Sequence, residues 1–237
     1  MAETVAILAV LRGAVRPFGP PGKRSAIDKR PVEGPVAVTR LGIEGDRQAL
    51  RGLHGGPEKA LHHYPFDHYA AWRAEVESPL LDAPGAFGEN LSTLGLTEEG
   101  VCVGDLFRLG SALVEVSQPR DPCLKLNWRF GRPGMARRVQ ESGRCGWYCR
   151  VREPGTAAAG DALALLDRPH PGWSVARLLG ALYGAGKDGV AGGRAPGDRG
   201  ELEAVAGLGA LARPWRDLAR RRLERGRVED WRRRLGE

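Results

Sequence analysis

Cysteine is scarce in this 237-residue chain, four in all, and no two cysteines form a Cys-x2-Cys pair. Cys145-x3-Cys149 lacks a second ligand pair, which excludes the usual structural zinc and leaves too few clustered thiols for an iron–sulfur centre. Long apolar runs are missing as well. The longest early one, Val5 to Leu11, is seven residues and follows Glu3 with no basic start. That is too short for a membrane span and wrong for a signal peptide, so the expectation is a cytoplasmic chain with four reduced thiols and no membrane. Several catalytic signatures are also absent. There is no Gly-x-Ser-x-Gly elbow, no His-Glu-x2-His, and no Gly-x-Gly-x-x-Gly following a strand, which argues against an α/β-hydrolase, a zincin and a Rossmann dinucleotide site.

What is plentiful is backbone punctuation: 34 glycines and 17 prolines, with 42% apolar and 27% charged residues. That is a globular composition with a turn-rich β region. Val5–Leu11, Val36–Thr39, Val101–Val103, Leu106–Leu109, Ala112–Ser117, Trp147–Val151 and Ala162–Leu166 read as strands. In Ala112–Ser117 the alternation turns Ala112, Val114 and Val116 to the core, and Leu113, Glu115 and Ser117 to a more polar face. Phe66–Val76 and Met135–Glu141 carry helical spacing. Many short strands with few helices predict a mainly β fold with some α, a barrel rather than a doubly wound sheet.

The texture changes after His170-Pro171-Gly172, dividing the chain into a barrel domain, 1–170, and a small C-terminal helical domain, 173–237. Ser174 caps a helix whose apolar face is Val175, Leu178, Leu179, Leu182 and Tyr183. Gly184–Gly200 reads as a mobile glycine-rich loop. Asp198 and Glu201 open a second helix, Trp215 to Leu223 line a third that Gly226 stops, and Val228, Trp231 and Leu235 mark a last short one. This tail holds ten arginines against five acids from Leu211 to Glu237, or +5 of the chain's net +7. Its tryptophans sit on the apolar stripes and leave no aromatic platform between the arginines, so the expectation is no nucleic-acid binding.

Chemistry concentrates in Ser117-Gln118-Pro119-Arg120-Asp121-Pro122-Cys123-Leu124-Lys125-Leu126. Pro119 and Pro122 stiffen the backbone, and Arg120 and Lys125 flank Cys123 with the positive charge that favours a thiolate, the form that attacks and binds metals. A structural cysteine at a strand–loop junction reads equally well from this segment alone. Three further segments carry glycine and polar groups that a core does not need. They are Gly22–Ile27, with Lys23 and Ser25; Gly42–Gln48 and Gly52–Leu61, with Asp46, Arg47 and His54; and Phe87–Ser92, with Glu89 and Asn90. Glycine admits close backbone approach, and Lys, Arg and Ser suit phosphate oxygens, so together they suggest an anionic cofactor beside a thiolate. His62 and His63 are adjacent and point in different directions; near a helix start, they read as packing residues rather than metal ligands.

Assembled in this order and spacing, Gly22–Ile27, Gly42–Gln48, His54–Leu61, Phe87–Thr93, Val103-Gly104-Asp105, Ser117–Asn127 and Gly146-Trp147 resemble the MOSC family, named for the C-terminal domain of molybdenum-cofactor sulfurases. The helical tail is similar to the three-helix domain of its bacterial YiiM-type branch. The resemblance implies a β-barrel binding the pyranopterin molybdenum cofactor (molybdopterin), with Cys123 as the metal ligand. It also implies reduction of small N-hydroxylated compounds, such as hydroxylaminopurines, to amines. Lys23, Ser25, Arg47, Arg120 and Lys125 become candidates for the phosphate and pterin. Asp46, His54, Glu89 and Asn90 become candidates for orienting pterin or relaying protons. The chain lacks a flavin or nicotinamide fingerprint, so the electrons would come from a separate reductase; a homodimer is the assembly considered. A family-level association with pyridoxal phosphate accompanies the resemblance. The rival reading is a carrier, with Cys123 holding a persulfide or the barrel ferrying the cofactor without turnover.

Overall fold

The computed structural model describes residues 4–184 and 198–237. Most of the loop predicted over Gly184–Gly200 therefore lies outside the described residues. Seven strands close into a barrel in the order Ala162–Asp167, Leu106–Leu109, Ala112–Pro119, Trp147–Glu153, Leu61–Pro65, Leu91–Thr93 and Thr4–Gly13, which pairs back to the first. A ring of seven strands cannot be antiparallel throughout, because direction must reverse an even number of times around it. The one parallel pair falls between Leu61–Pro65 and Leu91–Thr93, with His63 opposite Leu91. Short strands decorate the barrel: Lys29–Pro31 extends the sheet beyond Thr4–Gly13, and Gly155–Ala157, Val36–Thr39 and Gly42–Ile43 form a three-stranded sheet.

The barrel core is aromatic on one side. Tyr64 and Phe87 stack with ring centroids 4.1 Å apart, and the indole of Trp72 donates to Tyr64 Oη at 2.7 Å. Tyr64 Oη donates in turn to the Arg144 carbonyl at 3.0 Å, so each buried polar tip has a partner. Trp72 lies on the Asp67–Glu75 helix, within the stretch predicted from spacing.

Two readings from sequence are corrected, and a third is extended. His62 and His63 do not open a helix. They lie in the strand Leu61–Pro65, all five residues of which are buried, so the alternation that marks a half-buried strand is missing. Val101–Val103 is not a strand; Cys102 makes an isolated bridge to Ser174, and its N–H donates to the Asp105 carboxylate at 2.9 Å. Ala112–Ser117 does alternate, but its second face is covered too. Glu115 is buried beneath Arg150 and Arg152, and Ser117 Oγ donates to the Tyr148 carbonyl at 3.0 Å.

The C-terminal helices run Val175–Tyr183, Arg199–Gly207, Arg213–Arg225 and Arg232–Leu235. Their starts and stops follow the predicted caps. Ser174 accepts from the Arg177 N–H, Asp198 accepts from the Glu201 N–H, and Gly226 ends the third helix in the left-handed region. Leu178, Leu182, Val205, Trp215 and Leu235 belong to the same continuous core as the barrel residues. Backbone bonds join the two parts, among them Ala212 N–H to the Ser117 carbonyl at 2.9 Å and Leu124 N–H to the Arg234 carbonyl at 2.8 Å.

Candidate functional site

The strand pair Ala112–Pro119 and Trp147–Glu153 carries a register shift between Val116 and Gln118, after which Gln118 faces Tyr148 and Pro119 faces Trp147. A bulge of this kind re-aims the residues that follow it. Beyond it the chain leaves the sheet as Arg120-Asp121-Pro122-Cys123, fixed at its root by Arg120 N–H donating to the Gly146 carbonyl at 3.0 Å. Pro119 before this loop and Pro122 within it restrict the backbone, and Leu126 N–H bonding to the Cys123 carbonyl at 2.9 Å starts the short helix Lys125–Arg129. That helix is too short to show a period in the sequence.

Tyr148 pairs with His62 on the next strand, and His62 exchanges backbone and side-chain bonds with Asn90, just before the strand Leu91–Thr93. This level of the barrel forms the floor of a cavity with about 630 Å³ of empty space, counted to its open mouth. Ser25, Ala26, Ile27 and Lys29 line one side; Arg47, Gln48, Ala49, His54 and Lys59 a second; Phe87, Gly88 and Asn90 a third; and Arg120, Asp121, Cys123 and Lys125 the fourth. Gly88, at φ +77°, permits the third side to close on the first: a Cβ there would meet Ile27 Cγ1 at 2.7 Å.

Seven of the residues expected to form a site thus meet at one cavity: Ser25, Arg47, His54, Asn90, Arg120, Cys123 and Lys125. Three others lie elsewhere. Lys23 is exposed on its loop and does not line the cavity. Asp46 is buried behind the wall, where its carboxylate accepts from Lys29 Nζ at 2.6 Å, Gln48 Nε2 at 3.0 Å and Gly13 N–H at 2.7 Å. Glu89 is fully buried and accepts from Tyr69 Oη at 2.5 Å, Gly85 N–H at 2.6 Å and Phe87 N–H at 3.1 Å. Burial pushes the Glu89 carboxyl up, opposed by those donors. Both carboxylates fix loop geometry, and neither touches the cavity. Asn90 lines it, but its amide is spent bridging the His62 N–H and the Leu11 carbonyl.

Sequence reasoning missed Lys29, Gln48, Lys59, Asp121 and Tyr148, and set His62 aside. Lys59 and Asp121 stood inside the polar segments already singled out. Tyr148 carried only strand alternation, and no sequence signal marked it.

The cavity is electropositive. Lys29, Arg47, Lys59, Arg120 and Lys125 line it against one carboxylate, Asp121. Lys29 is neutralised by Asp46, an ion pair out of solvent. Burial pushes the Lys59 and Lys125 ammonium groups down, and negative charge on Cys123 opposes that shift in both, as Asp121 does for Lys59. Burial together with the charges of Lys125, Lys59 and Arg120 lowers His54 to about 4, so its imidazole is neutral at neutral pH. Arg120 is 5% exposed, and its Nη1 has no hydrogen-bond partner. A buried guanidinium nitrogen left unpaired is costly unless a ligand completes it, and the ligand this donor set suits is an anion with oxygen acceptors.

Cys123 is half-buried at the rim of this cavity, while Cys102, Cys145 and Cys149 are buried in the core, and none of the four forms a disulfide. Among the described residues, no group of three or more His, Cys, Asp or Glu side chains could hold a metal ion. A metal held here would need most of its ligands from a group that arrives with it, with Cys123 as the protein's soft donor. No helix among the described residues is long and apolar enough to cross a membrane.

Residues 51–164 match the profile of the MOSC domain. The chain is 41% identical over 229 residues to protein YiiM of Escherichia coli (strain K12), covering 95% of this chain and 96% of that one. It is 49% identical over 154 residues, or 64% of this chain, to a protein of Gibberella moniliformis named Reductase, of which the match spans 27%. The crystal structure of YiiM from Escherichia coli superposes with a TM-score of 0.77 at 34% identity, over 97% of this chain and 98% of that one. With barrel, cavity and helical tail agreeing along nearly its whole length, this chain belongs to the MOSC domain family.

Proposed function

We propose that this chain is a molybdenum-cofactor-dependent reductase that converts small N-hydroxylated compounds to amines with electrons from a separate reductase. The observation that carries the reading is the single half-buried thiol, Cys123, opening onto a cavity lined by Arg47, Lys59, Arg120 and Lys125, with an unpaired nitrogen on Arg120. The donor set fits the cofactor: soft sulfur for molybdenum, and fixed cations for the phosphate of the pterin. When bound, the cofactor supplies two-electron redox chemistry and an acceptor for the substrate oxygen. The Gibberella moniliformis relative, named Reductase, supports the redox class.

The chain's own residues supply position and protons. Reduction of R–NH–OH to R–NH2 consumes two electrons and two protons and releases the oxygen as water. Arg47, Arg120 and Lys125 hold negative charge, and Asn90 and Asp46 keep the surrounding loops in place. Burial weakens the hold of Lys59 on its proton, which suits it to donate toward the departing oxygen; neutral His54 beside it can pass on the replacement. Tyr148 offers ring surface against which a flat heteroaromatic substrate can lie.

The test is to purify the full chain from a host that makes the cofactor, measure molybdenum, and assay hydroxylaminopurine reduction with a saturating electron donor. Molybdenum near one per chain with turnover supports the reading, and Cys123→Ser should abolish that turnover while leaving the fold intact. Metal-free protein carrying sulfane sulfur on Cys123 would instead establish the carrier reading, and cofactor bound without turnover would establish a cofactor carrier.

A further inference from the structure

The loop bearing Cys123 is held from outside the barrel. Tyr183, at the end of the Val175–Tyr183 helix, donates its hydroxyl to the Asp121 carboxylate. Arg234, on the last helix, donates to the Pro122 carbonyl and to Gln140, while its own carbonyl accepts from Leu124 N–H at 2.8 Å. Residues on both sides of Cys123 are therefore bonded to the C-terminal helices. The two anchoring side chains also touch each other, the Arg234 guanidinium lying 5.3 Å from the centre of the Tyr183 ring. Close packing follows at Gly236, φ +80°, where a Cβ would stand 2.9 Å from Leu124 Cβ.

Asp121 is the one carboxylate lining the cavity, and Lys59 and Lys125 are the cations whose charge is coupled to Cys123. Lys59 is also coupled to Asp121. Arg120, His54, Tyr148 and the buried Cys145 are further charged or titratable groups around the loop, with Arg234 behind it. A carboxylate free to rotate here would turn toward the lysines and cancel the positive field beside the sulfur. Bonded to Tyr183, it has a fixed direction.

We propose that Tyr183 and Arg234 are positioning residues for Cys123: the C-terminal helices hold the Asp121–Leu124 loop against the cavity, and Tyr183 keeps the Asp121 carboxylate off the lysines that face the thiol. The tail is thus part of the site's construction. This inference rests on Cys123 being the reactive group of the site and on no property of the metal, so it is tested on full-length, metal-free protein.

The readout for Tyr183 is the ratio of Cys123 alkylation rates by iodoacetate and iodoacetamide at one neutral pH, with the modified peptide identified by mass. Both reagents attack the same thiolate. Their ratio therefore cancels the thiolate population and the accessibility of the sulfur, and reports the charge around it. In Tyr183→Phe the ratio should fall about threefold, the size expected when one unit charge moves a few ångström through water-like surroundings. The readout for Arg234 is hydrogen exchange at the amides of Leu124 and Leu126. It should accelerate about tenfold in Arg234→Met, as local opening becomes easier, and return toward wild type in Arg234→Lys, which keeps a donor for Pro122. Arg199→Ala, on an exposed ion pair with Glu203, is the control and should move neither. An unchanged ratio in Tyr183→Phe, even with a lowered melting temperature, would reduce Tyr183 to a packing residue and overturn its assignment. Unchanged exchange in Arg234→Met would overturn that of Arg234. Loss of molybdenum binding or of turnover would bear on the proposed function alone and leave these two readouts standing.

Discussion

Single side chains divide here into those that face the cavity and those that hold its walls, and burial sets the difference. Cys145 and Cys149 are enclosed, and burial raises both thiols, Cys149 to about 12. A thiolate is the reactive species, so at mildly alkaline pH only Cys123 should alkylate readily in the folded protein, with Cys145 and Cys149 labelled only after denaturation. Peptide mapping checks this; rapid labelling of Cys145 in native protein would contradict the burial. His63 offers a second residue-level test. It is buried, its Nε2 lies 2.8 Å from Thr93 Oγ1, and burial lowers its pKa from 6.5 to about 3. Since the folded-state value lies below the unfolded one, folding favours the neutral ring. The stabilisation is complete above the unfolded value near 6.5 and is lost as pH falls from there toward 3, on the order of 5 kcal/mol across the window. Urea unfolding of wild type should thus weaken between pH 7 and about 4 more steeply than that of His63→Gln, which has no proton to take up. Parallel pH profiles for the two proteins would rule out His63 as a source of acid sensitivity.

Among the elements, those with a local signal were legible in the sequence. Leu106–Leu109 and Val36–Thr39 alternate between punctuating residues and form the strands expected. The C-terminal helices announced themselves through Ser174, Asp198 and Gly226, whose capping chemistry is local. Leu61–Pro65 was not legible, because a strand covered on both faces loses its alternation. The candidate site was legible as a set of loops, since glycine, proline and cations are conspicuous where a core needs none. Which residues line the cavity was not. Asp46 and Glu89 have the same composition signal as their neighbours, yet backbone and lysine partners draw them into the wall, a tertiary fact with no local trace. Asn127 shows how one side chain joins elements distant in sequence: its Nδ2 donates to the Leu235 carbonyl at 2.8 Å, and its Oδ1 accepts from Ala136 N–H at 2.8 Å. Asn127→Ala removes both bonds from a partly buried place and should cost about 1–3 kcal/mol by urea denaturation. Asn127→Asp, which loses only the donor, should fall between the two. A neutral Asn127→Ala would show that water replaces both bonds.

At the scale of the whole molecule, the question is whether the basic tail is an appendage or part of the body. Composition left both readings open, for a barrel of 170 residues is long enough to carry its own core. The packing favours the second. Leu235 is fully buried in the common core, Ala212 bonds to the end of the barrel strand that leads to Arg120, and Arg234 braces the loop after it. Many of the arginines that gave the tail its charge are also committed. Arg213 and Arg220 meet Asp217, Arg222 meets Glu229, and Arg232 meets Asp230. Nucleic-acid affinity should accordingly be weak and lost at modest salt, as purely electrostatic association is. Fluorescence anisotropy with duplex DNA reads this directly, and a complex surviving physiological salt would contradict it. The same packing reverses the simplest expectation for truncation. Removing residues 173–237 strips the partners of Val101, Ser117, Pro122 and Leu124 together with an apolar face of the core. The fragment 1–172 should therefore aggregate or melt well below the full chain, with Cys123 exposed to reagent. The milder Leu235→Ala removes one buried side chain and should cost about 2–5 kcal/mol, the range for cavities left by leucine. If the fragment instead unfolds in one cooperative step near the temperature of the full chain, with the Cys123 alkylation rate unchanged, the tail is an independent domain, and the site is built by the barrel alone.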